Sequence, residues 1–157
     1  MLSIGIDPGQ KGGIAILRYG GDLEAFPMPM AGKEIDVSAL VFRLSGVSKL
    51  ENKLAIVEKV HSMPKQGVAS SFKFGKLYGC ILGVLGALFI PIKLVTPQAW
   101  KKEILAGTKK DKDAAIDYVS MRYPNFSLIP VRYRKPHDGM ADAICLAEYG
   151  IREGGNK

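Results

Sequence analysis

The sequence is short of the residues that build sulfur or imidazole metal clusters. Its 157 residues include two cysteines and two histidines, and neither forms a cluster at zinc-ligand spacing. Cys80 and Cys145 lie in apolar surroundings and read as small buried hydrophobes in a reducing compartment, not as a disulfide. Long apolar runs are also scarce. The one extended uncharged stretch, residues 77–92, is broken by Gly79, Gly83, Gly86 and Pro91 and is too short for a membrane span. The N-terminus lacks a basic region ahead of an apolar stretch, so no secretory leader is expected. With no repeats or low-complexity tracts either, the expectation is a cytoplasmic protein with no membrane association.

What is present is an ordinary globular composition, 47% hydrophobic and 24% charged. The length suits a single domain spanning residues 1–157. The charge is uneven. Residues 1–60 carry seven basic and seven acidic side chains, whereas the remainder carry fifteen and eight, so the whole net charge of +7 lies in the later part. Lys101 and Lys102, then Lys109, Lys110 and Lys112, then Arg132, Arg134 and Lys135 form basic clusters, and such clustering points to a polyanionic partner.

The chain is organised around residues 2–16. Leu2 to Ile6 is an aliphatic strand, Asp7-Pro8-Gly9 has turn chemistry, and Ile14 to Leu17 resumes as a second strand, which predicts a β-hairpin. Gly12 and Gly13 let the backbone pass close to something, and the reading assigns that space to a DNA backbone. Asp22 to Met28 is expected as a third strand and residues 28–33 as a loop. Asp36 caps a helix with Val37, Leu40, Val41 and Leu44 inward, ending near Gly46. Lys53 to Glu58 is a second apolar strand that ends on an acid. A long helix follows from Ser70. Its Gly75, Gly79 and Gly83 fall on one face, where each costs about 1 kcal/mol against alanine; close packing on the sheet or on a second subunit is the expected compensation, with the sheet favoured. Ile92 to Val95 is a strand, Thr96-Pro97 opens a helix that stops at Gly107, and Asp113 to Arg122 is helical. Residues 126–136 read as an exposed basic loop ahead of a final helix from His137 to Tyr149.

Two buried strands that each terminate in a carboxylate are hard to explain by packing, because a buried charge costs several kcal/mol unless paired or bound to metal. If the strands lie side by side and parallel, Asp7 and Glu58 meet at one sheet end. Asp138 and Asp142 are four apart on one helix face, and Asp142 sits between small residues beside core positions. Oxygen-only donors suit Mg²⁺ or Mn²⁺. Two such ions beside a basic surface would make a phosphodiester-cleaving site.

These residues also carry a resemblance. Gly5-Ile6-Asp7-Pro8-Gly9, Ile56-Val57-Glu58-Lys59-Val60, Phe72-Lys73-Phe74-Gly75 with Gly79, the 97–107 segment and His137-Asp138-Gly139-Met140-Ala141-Asp142-Ala143 resemble, in order, the RuvC family of Holliday junction resolvases in the ribonuclease H-like superfamily. The four-residue spacing of the last two acids is similar to the phage and organellar branch. The resemblance implies an α/β fold: a ribonuclease H-like mixed sheet with an N-terminal hairpin or meander and helices on both faces. It implies a homodimer that binds four-way DNA junctions and nicks two opposed strands symmetrically. Asp7, Glu58, Asp138 and Asp142 would hold the ions, with His137 an alternative to Asp138. Lys102 falls at the family's active-site lysine and Lys112 near a second. His61 and Met63 fall in the region that touches bases. Lys65, Lys73, Lys76, Lys101, Lys109, Lys110, Lys112, Arg132, Arg134 and Lys135 complete the expected DNA-binding set.

Two rival readings stand beside it. One is a YqgF-like nuclease acting on RNA, which shares the Asp-Pro-Gly opening. The other is a branched-DNA-binding protein that does not cut. Four acids facing a polyanion count against a pure binder, since without metal they repel phosphate.

Overall fold

The structure, a computed structural model, describes residues 1–50, 52–60, 67–108, 111 and 113–155. Its centre is β1 (Leu2–Asp7), which pairs antiparallel with β2 (Gly13–Arg18) from Leu2↔Arg18 to Asp7↔Gly13. β3 (Leu23–Pro27) continues the meander on β2. Residues 28–33, expected as a loop, contain β4 (Met30–Ala31), which turns at Gly32 (φ +64°) and pairs with β5 (Glu34–Ile35). α1 (Val37–Ser48) follows, its first turn satisfied by Asp36 Oδ1, which accepts from the Ala39 N–H at 2.9 Å. The helix runs through Gly46 to Ser48 because Val47, one turn beyond Leu44, is also buried.

α1 carries the chain across to β6 (Lys53–Glu58), which runs parallel to β1 with Ile6 opposite Val57. α2 (Val68–Ala87) then crosses to β7 (Ile92–Val95), parallel to β6. The sheet order is β3-β2-β1-β6-β7, so the two acid-ended strands are neighbours. α3 (Pro97–Ile104), α4 (Ala114–Arg122) and α5 (Asp138–Gly155) complete the chain.

Side-chain alternation divides the core between the two faces of the sheet. Leu2, Ile4 and Ile6 of β1 and Ala55 and Val57 of β6 join Leu40, Leu44, Leu77 and Ile81 under α1 and α2. Ile56 points the other way, into a second core with Trp100, Val119, Ile144 and Leu146 under α3, α4 and α5. Helices therefore cover both faces, as expected. Asp7 and Glu58 share parity with Gly5 and Ile56, so both acids face the α5 side.

α5 lies very close to the sheet. A methyl group at Gly5 would come 1.9 Å from the Ala143 carbonyl oxygen, one at Gly13 would come 2.6 Å from the Gly139 oxygen, and one at Gly150 would meet Ser3 Oγ at 2.1 Å. Gly12 and Gly139 form a parallel bridge that locks the start of the helix onto the hairpin. The space at Gly12 and Gly13 assigned above to a DNA backbone is thus filled by the chain itself: by the Asp7 carbonyl at Gly12 and by Gly139 at Gly13.

The glycines of α2 behave oppositely. A methyl group added at Gly75, Gly79, Gly83 or Gly86 would meet nothing within 4 Å. The helix packs through Leu77, Ile81, Val84 and Leu85 instead, so its glycine face does not lie on the sheet. At 20 residues α2 is long and apolar enough to cross a membrane, but only by including residues ahead of the uncharged stretch. Its four core side chains build it into the domain.

Behind α5, the buried Glu148 gathers the neighbouring helix. Tyr123 Oη donates to its carboxylate, and Arg122 and Arg152 approach it at 3.8 and 3.7 Å. Arg152 also donates to Tyr118 Oη at 2.9 Å and to the Glu103 carbonyl at 3.4 Å. One buried carboxylate and its partners thereby tie α4 and the end of α3 to α5.

Candidate functional site

The ends of β1 and β6 and the first turns of α5 bring the four predicted acids to one place. Asp7 and Glu58 follow the Ile6–Val57 pair on adjacent strands, both partly buried. Asp142 is partly buried on α5, and Asp138 is exposed in the first turn. Burial pushes the Asp7 carboxyl up to about 7; Asp142 and then Glu58 push it the same way, and the Lys101 ammonium opposes them. Burial likewise raises Asp142 to about 6, with Lys101 lowering it and Glu58 and Asp138 raising it. The acids therefore share one field, with one lysine in it.

That lysine is Lys101. Lys102, assigned above to the active-site cation, is exposed on the next position of α3. Successive helical residues turn by about 100°, and Trp100 and Ile104 mark the buried face of α3. Lys102 is then opposite that face, whereas Lys101 flanks it. Lys101 Nζ lies 5.2 Å from the Trp100 ring centroid, a cation–π distance.

Trp100 is the site residue that sequence reasoning missed. Its ring is fully buried, and its Nε1–H donates to Glu58 Oε2 at 2.8 Å. Burial and helical spacing mark Trp100 as core, and only the strand order reveals which acid its N–H meets.

His137, weighed above as an alternative to Asp138, caps α5. Its Nδ1 accepts from the Met140 N–H at 3.1 Å, and its carbonyl accepts from the N–H groups of Met140 and Ala141. An accepting Nδ1 leaves the ring neutral with its proton on Nε2, and burial lowers its pKa while Asp138 raises it. Tyr133 packs against the ring at 5.2 Å. The imidazole is engaged in ordering the helix that carries Asp138 and Asp142.

The predicted DNA-binding residues are scattered. Arg132, Arg134 and Lys135 are exposed on the loop leading to His137, and Arg132 has φ +74°. Lys73 is exposed on α2, and Lys76 pairs with Glu34 at 2.8 Å. His61, Met63, Lys65, Lys109, Lys110 and Lys112 lie outside the described residues.

The donors fit a hard cation. All four are carboxylates, and burial first, then neighbouring acids, raise Asp7 and Asp142 despite the opposing Lys101, so a bound cation would favour their charged forms. Among the described residues no group of three or more His, Cys, Asp or Glu side chains is placed, as the side chains stand, to hold a metal ion. Mg²⁺ does not ask for an all-protein cage, since it keeps waters and takes further oxygens from substrate phosphate.

Comparison with solved structures identifies the architecture. Thermus thermophilus RuvC in complex with a Holliday junction substrate superimposes with TM-score 0.68 at 18% identity, covering 98% of this chain and 96% of that one. The chain has the RuvC fold. A second Thermus thermophilus RuvC structure gives TM-score 0.58 at 22% identity, over 98% and 97% of the two chains. The yeast mitochondrial Holliday junction resolvase matches at TM-score 0.48 and 14% identity, over 98% of this chain and 78% of that one. No family model and no curated protein matches the sequence. The RuvC likeness is therefore one of fold.

Proposed function

We propose that this chain is a divalent-metal-dependent, structure-selective endonuclease that resolves four-way and other branched DNA by symmetric nicking, acting as one domain in a cytoplasmic homodimer. The observation that carries the reading is the convergence of Asp7, Glu58, Asp142 and Asp138 beside Lys101, in a chain with the RuvC fold and a net charge of +7. A protein of that fold has been captured with a Holliday junction substrate.

Asp7, Glu58, Asp138 and Asp142 would hold Mg²⁺ or Mn²⁺, which when bound supplies charge stabilisation for the attacking water and the leaving oxygen. The chain's own residues do the rest. Asp7 and Asp142, crowded and partly desolvated, favour any cation that relieves their repulsion. Lys101, rather than Lys102, offers a fixed positive charge to the phosphate oxygens as negative charge develops on them. Arg132, Arg134 and Lys135, just ahead of Asp138, are suited to backbone phosphates.

The dimer reading rests on α2. Val68 and Phe72 are 88% and 72% exposed, and the open glycines continue their side of the helix. Small residues let two helix backbones approach closely, and a second copy supplies the second active site that paired nicks require.

The test is to incubate the protein with four-way junction, linear duplex, forked DNA and structured RNA, with Mg²⁺ and with chelator, and to map the nicks. Paired symmetric nicks confined to branched DNA, and lost with chelator, are expected. Asp142→Asn should still bind the junction but cut it at least 100-fold more slowly, and full activity in that variant would overturn the reading. Tight binding without cutting would make the chain a branched-DNA binder, and cutting of RNA alone would favour the YqgF-like alternative.

A further inference from the structure

We infer that Trp100 is a positioning residue for the metal site: its indole N–H fixes one oxygen of Glu58, leaving the other to a cation. The inference rests on the metal-dependent reading above. An indole has one donor and no acceptor, so a fully buried ring needs an acceptor for it. Here that acceptor is Glu58 Oε2 at 2.8 Å. Among the described residues Glu58 Oε1 has no hydrogen-bond partner. The ring cannot swing away from the acid, because Trp100 has no exposed surface and packs in the core shared by Val95, Ile104 and α5.

The same ring also sits under Lys101, whose Nζ is 5.2 Å from its centroid. One rigid side chain therefore contacts both an acid at the end of β6 and the lysine that opposes the charge of Asp7 and Asp142. Partners that hold a ligating side chain in place typically change metal affinity by about 10- to 100-fold when removed. A tryptophan that merely filled the core would affect stability and leave ion affinity alone.

Trp100 is the only tryptophan in the chain, so the emission reports on this ring alone, and the Glu58 variant assigns a change to its bond with the acid. The full chain is titrated with Mg²⁺ while Trp100 emission is recorded, and the Mg²⁺-dependent rise in Tm is measured in parallel. The wild-type protein should show a saturable emission change at the concentrations that raise Tm. Trp100→Phe should need about tenfold more Mg²⁺ for the same rise. Glu58→Gln, which keeps an acceptor for the indole but loses the charge, should remove the emission response, and it serves if Trp100→Phe fails to fold. An unchanged Mg²⁺ dependence in Trp100→Phe, or a wild-type emission response in Glu58→Gln, would overturn the inference. So would a Tm rise without any emission change in the wild-type protein. If wild-type protein responds to Mg²⁺ in neither measurement, the inference and the metal-dependent reading fail together.

Discussion

Asp7 keeps its proton in the folded protein until about pH 7, against 3.8 for the free side chain. Between those values the folded chain binds more protons than the unfolded one, so without metal its stability falls as pH rises from about 4 to 7. Asp7→Asn removes this penalty. In chelator at pH 8 the variant should unfold at higher temperature than wild type, by a margin on the order of 1–3 kcal/mol, and the gain should vanish near pH 4. Thermal melts at the two pH values decide it; a variant less stable at pH 8 would contradict the account. At this scale the sequence was partly legible. An acid ending an apolar strand is visible by inspection, and so were the four acids. The proposal of Lys101 in place of Lys102 rests on the buried face of α3, which the pair Trp100 and Ile104 marks. The partner of the Trp100 N–H was not legible, since 42 residues separate it from Glu58.

The elements themselves follow local rules. Thr96 and Pro97 start α3, with Thr96 Oγ1 accepting from the Ala99 N–H at 3.3 Å, and the apolar strands β1 and β6 end at their acids. The glycines did not follow from spacing. Those of the hairpin, read as space for DNA, are filled by α5, and those of α2, expected against the sheet, are open. Periodicity says that small residues share a face but not what faces them. The contrast gives paired expectations. Gly5→Ala drives a methyl into the backbone of α5 and should destabilise the protein by about 3 kcal/mol or more. Gly79→Leu should leave the melting temperature of the monomer unchanged or raised, since it replaces a poor helix former at an open position. It should also halve the mass seen in solution by blocking the proposed contact. An unchanged dimer mass for Gly79→Leu would remove α2 from the interface.

For the molecule as a whole, the excess charge of +7 lies after residue 60, a distribution that simple counting along the chain reveals. It predicts junction affinity that falls steeply with salt, with a log–log slope near −0.9 for each phosphate neutralised on duplex arms. Binding measured from 50 to 200 mM salt tests this, and a flat plot would remove the backbone-contact argument. The parallel pairing of β1 and β6 was the condition under which two acid-ended strands meet, and the resemblance implied a mixed sheet covered on both faces; the full strand order came from the structure. The spread of cations over α2, α3 and the loop before α5 was not legible, because it depends on which helices flank each face.

The close seating of α5 has a mechanical side. Gly139, Ala143, Ala147 and Gly150 hold the helix to the sheet at successive turns, and a methyl at Gly154 would strike the Met1 side chain. An 18-residue helix is about 27 Å long, and with every turn in contact it can only shift as a rigid bar. Lifting its far end at Gly150 would tilt its near end, where Asp138 and Asp142 stand. The carboxylate geometry is thus set partly by two glycines at the opposite end of β1, and distance from the acids gives those positions no freedom to vary.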